Sequence, residues 1–297
     1  MTDRLLGSGL IIVDKPAGMT SHDVISRLRR IFGTRRVGHA GTLDPMATGV
    51  LVVGIERGTR FLAHLVTETK TYRATIRLGA STTTDDAEGD ITSRTDTTDV
   101  TETLIDAAIA QLTGDIMQKP AAVSAIKIDG KRAHERVRDG ETVDIPARPV
   151  TVHRFDVLDR RSVDGYIDLD VDVFCSSGTY IRSLARDLGN ALGVGGHLTA
   201  LRRTTVGPFD LTHARTLEEL EDNPQLSLTL DQALAASFPI LRVSGEEGHK
   251  LAMGQWLEPR GLKGIHAAVT PDGRAVALVK EKGKRLATVF VARPSTL

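Results

Sequence analysis

The segment GHAGTLDPMATGVL, residues 38–51, places a single carboxylate, that of Asp44, among small residues. Its three glycines allow positive φ and a close backbone approach to a flat ligand, while Pro45 fixes its own φ and disfavours a helical conformation at Asp44. The segment therefore predicts a stiff loop that presents Asp44, followed by a buried strand from Val50. By spacing alone, Asp44 is more typical of a turn-capping aspartate than of a catalytic residue.

The residues before this loop predict a strand and an amphipathic helix. Residues 9–15 form a short apolar run that leads into a Pro/Gly turn. Thr20 or Ser21 can cap the helix that follows, and Gly33 ends it. Apolar residues recur along this helix at a spacing of 3.6, and its outer face is basic.

Two later strands and one helix complete the predicted elements that could build a site. A strand over residues 72–79 alternates, so that Tyr72 shares a face with apolar residues. A second strand, over residues 167–173, has its aspartates on one face and leads into a helix whose first turn carries Tyr180 and Arg182. Unpaired N–H groups and a guanidinium at that position favour an anion, either Asp44 or a phosphate.

From about Phe238 the pattern changes to short strands, with a hairpin turn predicted at residues 271–274. These features predict a small C-terminal β domain after a larger mixed α/β domain. A chain of 297 residues exceeds the usual range for one core, which favours this division.

Composition limits the setting and the chemistry. The lone cysteine, Cys175, rules out an internal disulfide and a multi-cysteine zinc site, and no apolar run of about twenty residues is present. We therefore expect a soluble cytoplasmic protein without membrane contact. The 38 basic residues balance the 38 acidic ones, which argues against indiscriminate coating of nucleic acid. Basic residues nevertheless cluster within residues 27–36 and 119–138, where they could form a docking surface for a polyanion.

Several common reaction types lack their motifs. The sequence contains no phosphate-binding Gly-x-x-x-x-Gly-Lys-Ser/Thr loop, no His-Glu-x-x-His, no Gly-x-Ser-x-Gly and no Gly-x-Gly-x-x-Gly. We expect neither a metal nor an organic cofactor. What remains is a carboxylate that acts on a substrate as a nucleophile or as an acid and base.

Short motifs in a fixed order resemble those of the bacterial tRNA pseudouridine synthase B family. The first two are DKPAGMTS (residues 14–21) and the segment at 38–51. The later ones are YR (72–73), TDDAEG (84–89), QKP (118–120) with SAIK (124–127), CSSGTYIR (175–182) and LRR (201–203). The resemblance runs from about Gly9 to Phe209.

The resemblance implies a fold, a domain division and an activity. The fold would be mixed α+β, with a mainly antiparallel central sheet, flanking helices and a C-terminal β domain resembling a PUA domain. The catalytic domain would span residues 1–236, with an RNA-gripping insertion at about 112–150, and the RNA-binding domain residues 237–297. The family isomerises uridine 55 in the T-loop of tRNA without metal or cofactor. No obligate protein partner is implied, and a monomer is expected.

The same resemblance implies roles for individual residues. Asp44 would be the catalytic carboxylate, paired with Arg182, and Tyr72 would stack on the extruded uracil. Residues expected to contact substrate or RNA, or to support those that do, are His39, Tyr180, Asp86, Lys15, Lys127, Lys131, Arg132 and Arg202.

Two alternative functions remain open. A glycosidase-like hydrolase could use Asp44 as nucleophile and Asp86 as acid, and it would release the base into solution. A non-catalytic module for RNA binding or folding would keep its function when Asp44 is replaced by Asn.

Overall fold

The computed structural model describes residues 5, 7–66, 68–121 and 145–294, together with the backbone of residues 127–128 and 131–132. The strands are β1 (Gly9–Lys15), β2 (Val37–Ala40), β3 (Thr48–Ile55), β4 (Lys70–Leu78), β5 (Ala80–Thr82), β6 (Ile91–Arg94), β7 (Gly114–Gln118), β8 (Lys127–Ile128), β9 (Lys131–Arg132), β10 (Arg148–Val163), β11 (Tyr166–Cys175), β12 (Gly196–Val206), β13 (Phe209–Asp210), β14 (Ala214–Arg215), β15 (Leu228–Thr229), β16 (Ile240–Arg242), β17 (Ile265–Val269), β18 (Ala275–Lys282) and β19 (Arg285–Val291). The α-helices are α1 (Ser21–Ile31), α2 (Gly58–Phe61), α3 (Glu102–Gln111), α4 (Ile181–Ala191), α5 (Leu217–Asp222), α6 (Leu230–Ser237) and α7 (Gly245–Ala252), and 3-10 turns cover Leu62–His64 and Leu211–His213.

The chain divides into two compact units. The first unit combines Met1–Val66 with Thr205–Leu297, and the second unit is Thr67–Thr204. Compactness alone defines these units, so the expected domain boundary between residues 236 and 237 stays a prediction.

Strand β1 lies at the centre of the first unit's sheet. It pairs antiparallel with β3 along its whole length, antiparallel with β15 and parallel with β14. Strand β2 pairs with the other edge of β3. Because β1 is covered on both faces, its sequence is a continuous apolar run rather than an alternating one. Leu10 and Ile12 pack with Phe61 in a core that also takes in residues 206–292.

Helix α1 has the cap and the apolar stripe that the sequence predicts. Thr20 and Asp23 form a capping box, and Val24 and Leu28 are buried on the inner face. The outer face is less available for contact with a polyanion than its basic sequence suggests. Arg27 donates two hydrogen bonds to the Glu221 carboxylate, at 2.6 and 2.8 Å, and this cation is therefore already paired within the first unit.

The C-terminal part of the first unit carries the small β structure that the sequence predicts. Its sheet has the order β16, β17, β18, β19, and a turn joins β17 to β18 in an antiparallel hairpin. The parallel pairing of β16 with β17 was not predicted. Helix α7 packs on this sheet through Leu251, which is buried with Ala277 and Leu286.

The second unit is built on a mainly antiparallel sheet. Strands β4, β11, β10 and β7 pair antiparallel in that order, and β12 lies next to β4. The alternation predicted for β4 is present, since Tyr72, Ala74 and Ile76 are all buried on one face. On the other face, Thr75 donates to the Asp170 carboxylate at 2.7 Å. The face of β4 opposite the apolar core thus carries the polar side chains of this strand.

The aspartates of β11 lie in the predicted row, and each has a cationic neighbour. Asp168 accepts two hydrogen bonds of 2.7 Å from Arg77. A hydrogen bond from Arg161, with a smaller contribution from Thr75, holds the pKa of Asp170 below its ordinary value. Among the helices of the described residues, none is both long and apolar enough to cross a membrane.

Candidate active site

A tight turn between β2 and β3 carries Asp44. The Ala47 N–H donates to the Asp44 carbonyl at 3.1 Å and so closes the turn, and the Asp44 side chain is half-buried. Gly41 and Gly49 flank the turn with φ of 82° and 100°, a region of backbone conformation that favours glycine. The predicted loop is therefore present.

Lys15 supports this turn from the interior of the protein. The side chain is 0% exposed, and its ammonium donates to the carbonyls of Pro16 at 2.8 Å, Met19 at 2.6 Å and Pro45 at 3.2 Å. The Gly18 N–H donates to the same Pro45 carbonyl at 2.8 Å. Lys15 therefore supports the Asp44 turn from inside the protein, and the structure does not place it as a surface contact for RNA.

Ser21 fixes the residue before Asp44. Its hydroxyl accepts from the Leu43 N–H at 2.9 Å and donates to the Leu43 carbonyl at 3.1 Å, and both residues are buried. Sequence reasoning considered Ser21 only as a helix cap, a role that Thr20 fills. The Asp44 turn is thus held by Lys15 on one side and Ser21 on the other.

His39 lies on β2, five residues before Asp44. It pairs with Val53 of β3, and its side chain is half-buried. The strand pairing fixes its backbone close to the turn in sequence and in space.

Tyr72 lies on the buried face of β4 in the second unit. It is paired with Val173 of β11 and is almost fully covered. Lys70, on the same face, donates to the Glu68 carbonyl at 2.9 Å and to the Ser177 hydroxyl at 3.3 Å. Burial, reinforced by the nearby positive charge of Arg203, lowers the pKa of Lys70 from 10.5 to about 8.

Arg182 and Asp86 are neighbours within the second unit. They are 5% and 3% exposed, and the Arg182 Nε lies 3.7 Å from the Asp86 Oδ2. Arg182 also donates to the Thr84 carbonyl at 3.1 Å. Asp86 Oδ1 accepts from the Thr84 hydroxyl at 2.5 Å and from the Glu88 N–H at 3.0 Å. This buried charge pair was missed by sequence reasoning, which assigned Asp86 to nucleotide contact and Arg182 to Asp44.

Asp44 belongs to the first unit, whereas Arg182 and Tyr72 belong to the second. The expected Asp44–Arg182 ion pair therefore stays a prediction.

Tyr180 begins helix α4, and its backbone is held by a side chain that sequence reasoning did not single out. The Gln118 amide oxygen accepts from the Tyr180 N–H at 2.8 Å, and the amide nitrogen donates to the Tyr180 carbonyl at 3.1 Å. The only signal in the sequence was the position of Gln118 in the QKP motif at residues 118–120.

The structure gives less detail for the remaining residues that are predicted to contact RNA. Arg202 is half-buried on β12. Lys127 lies on β8, and Lys131 and Arg132 lie on β9, which pairs antiparallel with β8. Their side chains are outside the described residues, as is most of the expected RNA-gripping insertion. Within the described ranges, no group of three or more His, Cys, Asp or Glu side chains could hold a metal ion.

Comparison with protein families accounts for most of the chain. Residues 29–181 match the N-terminal domain of the TruB family pseudouridylate synthases. Residues 182–236 match a tRNA pseudouridylate synthase B C-terminal domain, and residues 238–293 match the C-terminal domain described as tRNA pseudouridine synthase II.

Individual relatives are similar over the whole length. A protein of Corynebacterium efficiens named tRNA pseudouridine synthase B is 73% identical over 100% of both chains. A protein of the same name from Nocardia farcinica is 60% identical over 97% of this chain and 94% of its own. The chain therefore belongs to the TruB family of pseudouridylate synthases.

Solved structures have the same fold. A Cbf5–Nop10–Gar1 complex contains a chain that matches with a TM-score of 0.74 and 28% identity, over 98% of this chain and 87% of that one. A chain in an H/ACA RNP bound to a substrate RNA containing 2'-deoxyuridine matches with a TM-score of 0.72 and 27% identity, over 96% of this chain and 85% of that one.

Proposed function

We propose that this chain is a tRNA pseudouridine synthase that converts uridine 55 of the T-loop to pseudouridine. The observation that carries the proposal is the 73% identity over the full length with a protein named tRNA pseudouridine synthase B. The turn that carries the half-buried Asp44 carboxylate, held by Lys15 and Ser21, also supports the proposal.

The reaction is an isomerisation. The N1–C1′ bond of the uridine breaks, the uracil rotates, and a C5–C1′ bond forms. The proton on C5 then leaves and N1 gains a proton, so that no atom is lost overall. The enzyme must hold the detached uracil and exclude water, which would otherwise trap the sugar.

Asp44 is the proposed catalytic carboxylate. Its turn is fixed by Lys15 and Ser21 through hydrogen bonds to the backbone, so that little reorganisation is needed when the substrate binds. A carboxylate in a dry pocket is costly unless it is paired, and Arg182 is the proposed partner. Asp86, 3.7 Å from Arg182, would keep the guanidinium oriented toward the pocket.

Tyr72 is proposed to stack on the uracil and to assist proton movement with its phenol. We expect Tyr72→Phe to keep tRNA affinity and to lose most turnover, since only the hydroxyl is removed. Near-normal turnover of this variant would limit Tyr72 to stacking.

The target base must leave its stack before it can react, at a cost of about a few kcal/mol. We propose that His39 fills the space left by the base and that Tyr180 forms a wall of the pocket. The proposed contacts to the nucleotide or the RNA backbone are Asp86, Lys127, Lys131, Arg132 and Arg202. Phosphate contacts release counterions, so that tRNA affinity should fall steeply with salt. Nearly salt-independent binding would contradict the assignment of the basic residues.

We further propose that the chain acts alone, as a monomer, in the cytoplasm where tRNA is modified. The two solved neighbours, by contrast, come from complexes with other proteins or RNA. Purified chain that modifies tRNA without any added protein would support this part of the proposal, and a requirement for a second protein would refute it.

The decisive experiment measures tritium release from C5-labelled uridine in T-loop RNA. Wild type should release tritium, and Asp44→Asn should release none above background. Asp164→Asn is the matched control, because Asp164 is exposed in a turn with φ of 52°, which asparagine also tolerates. Free uracil in solution would instead indicate a hydrolase. Full tritium release by Asp44→Asn would refute the catalytic role of Asp44.

A further inference from the structure

The start of helix α4 is held in place by a buried amide from a distant strand. Gln118, the last residue of β7, is 1% exposed and makes a two-point contact with the backbone of Tyr180, at 2.8 and 3.1 Å. Tyr180 is the N-cap residue of α4, and its own side chain makes no capping hydrogen bond. The Gln118 amide oxygen therefore binds the N–H of the N-cap residue, the group that the Asp23 carboxylate binds in the capping box of α1.

The Gln118 contact anchors the helix end of the loop between β11 and α4, and the Lys70 ammonium donates to the Ser177 hydroxyl within this loop at 3.3 Å. At the other end, the Ser176 N–H donates to the Thr151 carbonyl at 2.8 Å, and the Ser176 hydroxyl accepts from the Thr151 N–H at 2.9 Å. Of these anchors, the Gln118 contact is the nearest in sequence to Arg182, which is two residues beyond Tyr180. A shift at Tyr180 would therefore move the buried guanidinium relative to Asp86.

We propose that Gln118 is a positioning residue for catalysis, which sets the place of the Arg182 guanidinium through the Tyr180 backbone. The proposal rests on the proposed function, in which Arg182 is the partner of the catalytic carboxylate. Its chemical basis is that an amide can accept and donate at the same time. A displacement of about 1 Å in a catalytic group can cost on the order of a hundredfold in rate.

The test compares Gln118→Glu with Gln118→Leu in the tritium-release assay over a range of pH. When it is ionised, the carboxylate introduced by Gln118→Glu accepts from the Tyr180 N–H but has no hydrogen to donate to the carbonyl. When it is protonated, the same carboxyl group both accepts and donates, as the amide does. Burial raises the pKa of a carboxyl, which brings this protonation toward the assay range.

We expect kcat of Gln118→Glu, relative to wild type, to be lowered about tenfold or more at high pH and to recover as the pH falls. Gln118→Leu should have a low kcat relative to wild type at every pH, because its side chain neither donates nor accepts. KM for tRNA should change less than kcat in both variants, since neither change removes a side chain that is proposed to contact RNA. A purely structural role for Gln118 would lower the folded fraction of both variants and leave the kcat of the folded enzyme unchanged.

Thr75→Val is the control for a lost hydrogen bond elsewhere in the second unit. Thr75 donates to Asp170 at 2.7 Å on the face of β4 opposite Tyr72, so this variant should keep its kcat. Amide hydrogen exchange adds a readout that does not depend on turnover, and the first turn of α4 should exchange faster in Gln118→Leu than in Thr75→Val.

The outcomes separate the two proposals. If wild type is active, two results would overturn the positioning role alone. One is an unchanged kcat in Gln118→Leu, and the other is the absence of a pH-dependent recovery in Gln118→Glu. An inactive wild type would overturn the proposed function and, with it, the role of Gln118 in catalysis.

Discussion

Replacement of Ser21 by alanine tests whether the Asp44 turn is held from helix α1. The Ser21 hydroxyl bridges the N–H and the carbonyl of Leu43, at 2.9 and 3.1 Å, and both residues are buried. A buried backbone group without a partner costs about 1–3 kcal/mol, and alanine returns about 0.5 kcal/mol of helix propensity. We therefore expect Ser21→Ala to lower the free energy of unfolding by about 2 kcal/mol.

Urea unfolding followed by circular dichroism measures this change, with Ser26→Ala as the matched control. Ser26 lies on the same helix, is exposed, and donates only to the His22 carbonyl at 3.0 Å. Its replacement should be neutral or slightly stabilising. Turnover by folded Ser21→Ala should also fall, because the Asp44 turn loses one of its supports. Equal unfolding free energies for the two variants would refute the reasoning.

Two further predictions concern close packing and pH. Gly58→Ala should destabilise the protein severely, because the added Cβ would lie 2.1 Å from the Gly9 carbonyl oxygen. Gly245→Ala, where a Cβ meets nothing within 4 Å, should keep the wild-type melting temperature, and a similar loss in both variants would contradict the argument. Burial lowers the pKa of Lys70 from 10.5 to about 8, so that Lys70 binds more protons in the unfolded chain between these values and its contribution to stability should rise with pH there, by on the order of 3 kcal/mol. Lys70→Met should lack this rise in urea unfolding at pH 8 and pH 10.5, and parallel curves for the two proteins would contradict it.

The elements that the sequence predicts well are those with local causes. The capping box at Thr20 depends on residues three positions apart, and the alternation in β11 depends only on neighbours along one strand. Such patterns require no knowledge of the rest of the chain.

The features that the sequence could not predict depend on distant partners. The pairing of β1 with β14 joins residues about two hundred positions apart, and no periodicity records it. The family resemblance implies a supporting role for Lys15 behind the Asp44 turn, but only the folded chain supplies the carbonyls that bind its ammonium. Arg182 and Asp86 each lie in a motif of their own. Only the folded chain, in which Arg182 lies on α4 and Asp86 next to β5, shows that they are neighbours.

The first unit also sets the order in which this protein can mature on the ribosome. Strand β1 lacks two of its partners until residues 214–229 have been made. Arg57 donates to the Ala292 carbonyl at 2.7 Å, a bond that forms only after 235 further residues have been translated. One edge of the apolar strand β1 therefore stays without its strand partners until residues 214–229 have been translated. Asp44 is translated long before residues 205–292, so the unit that holds it can be completed only after those residues have followed.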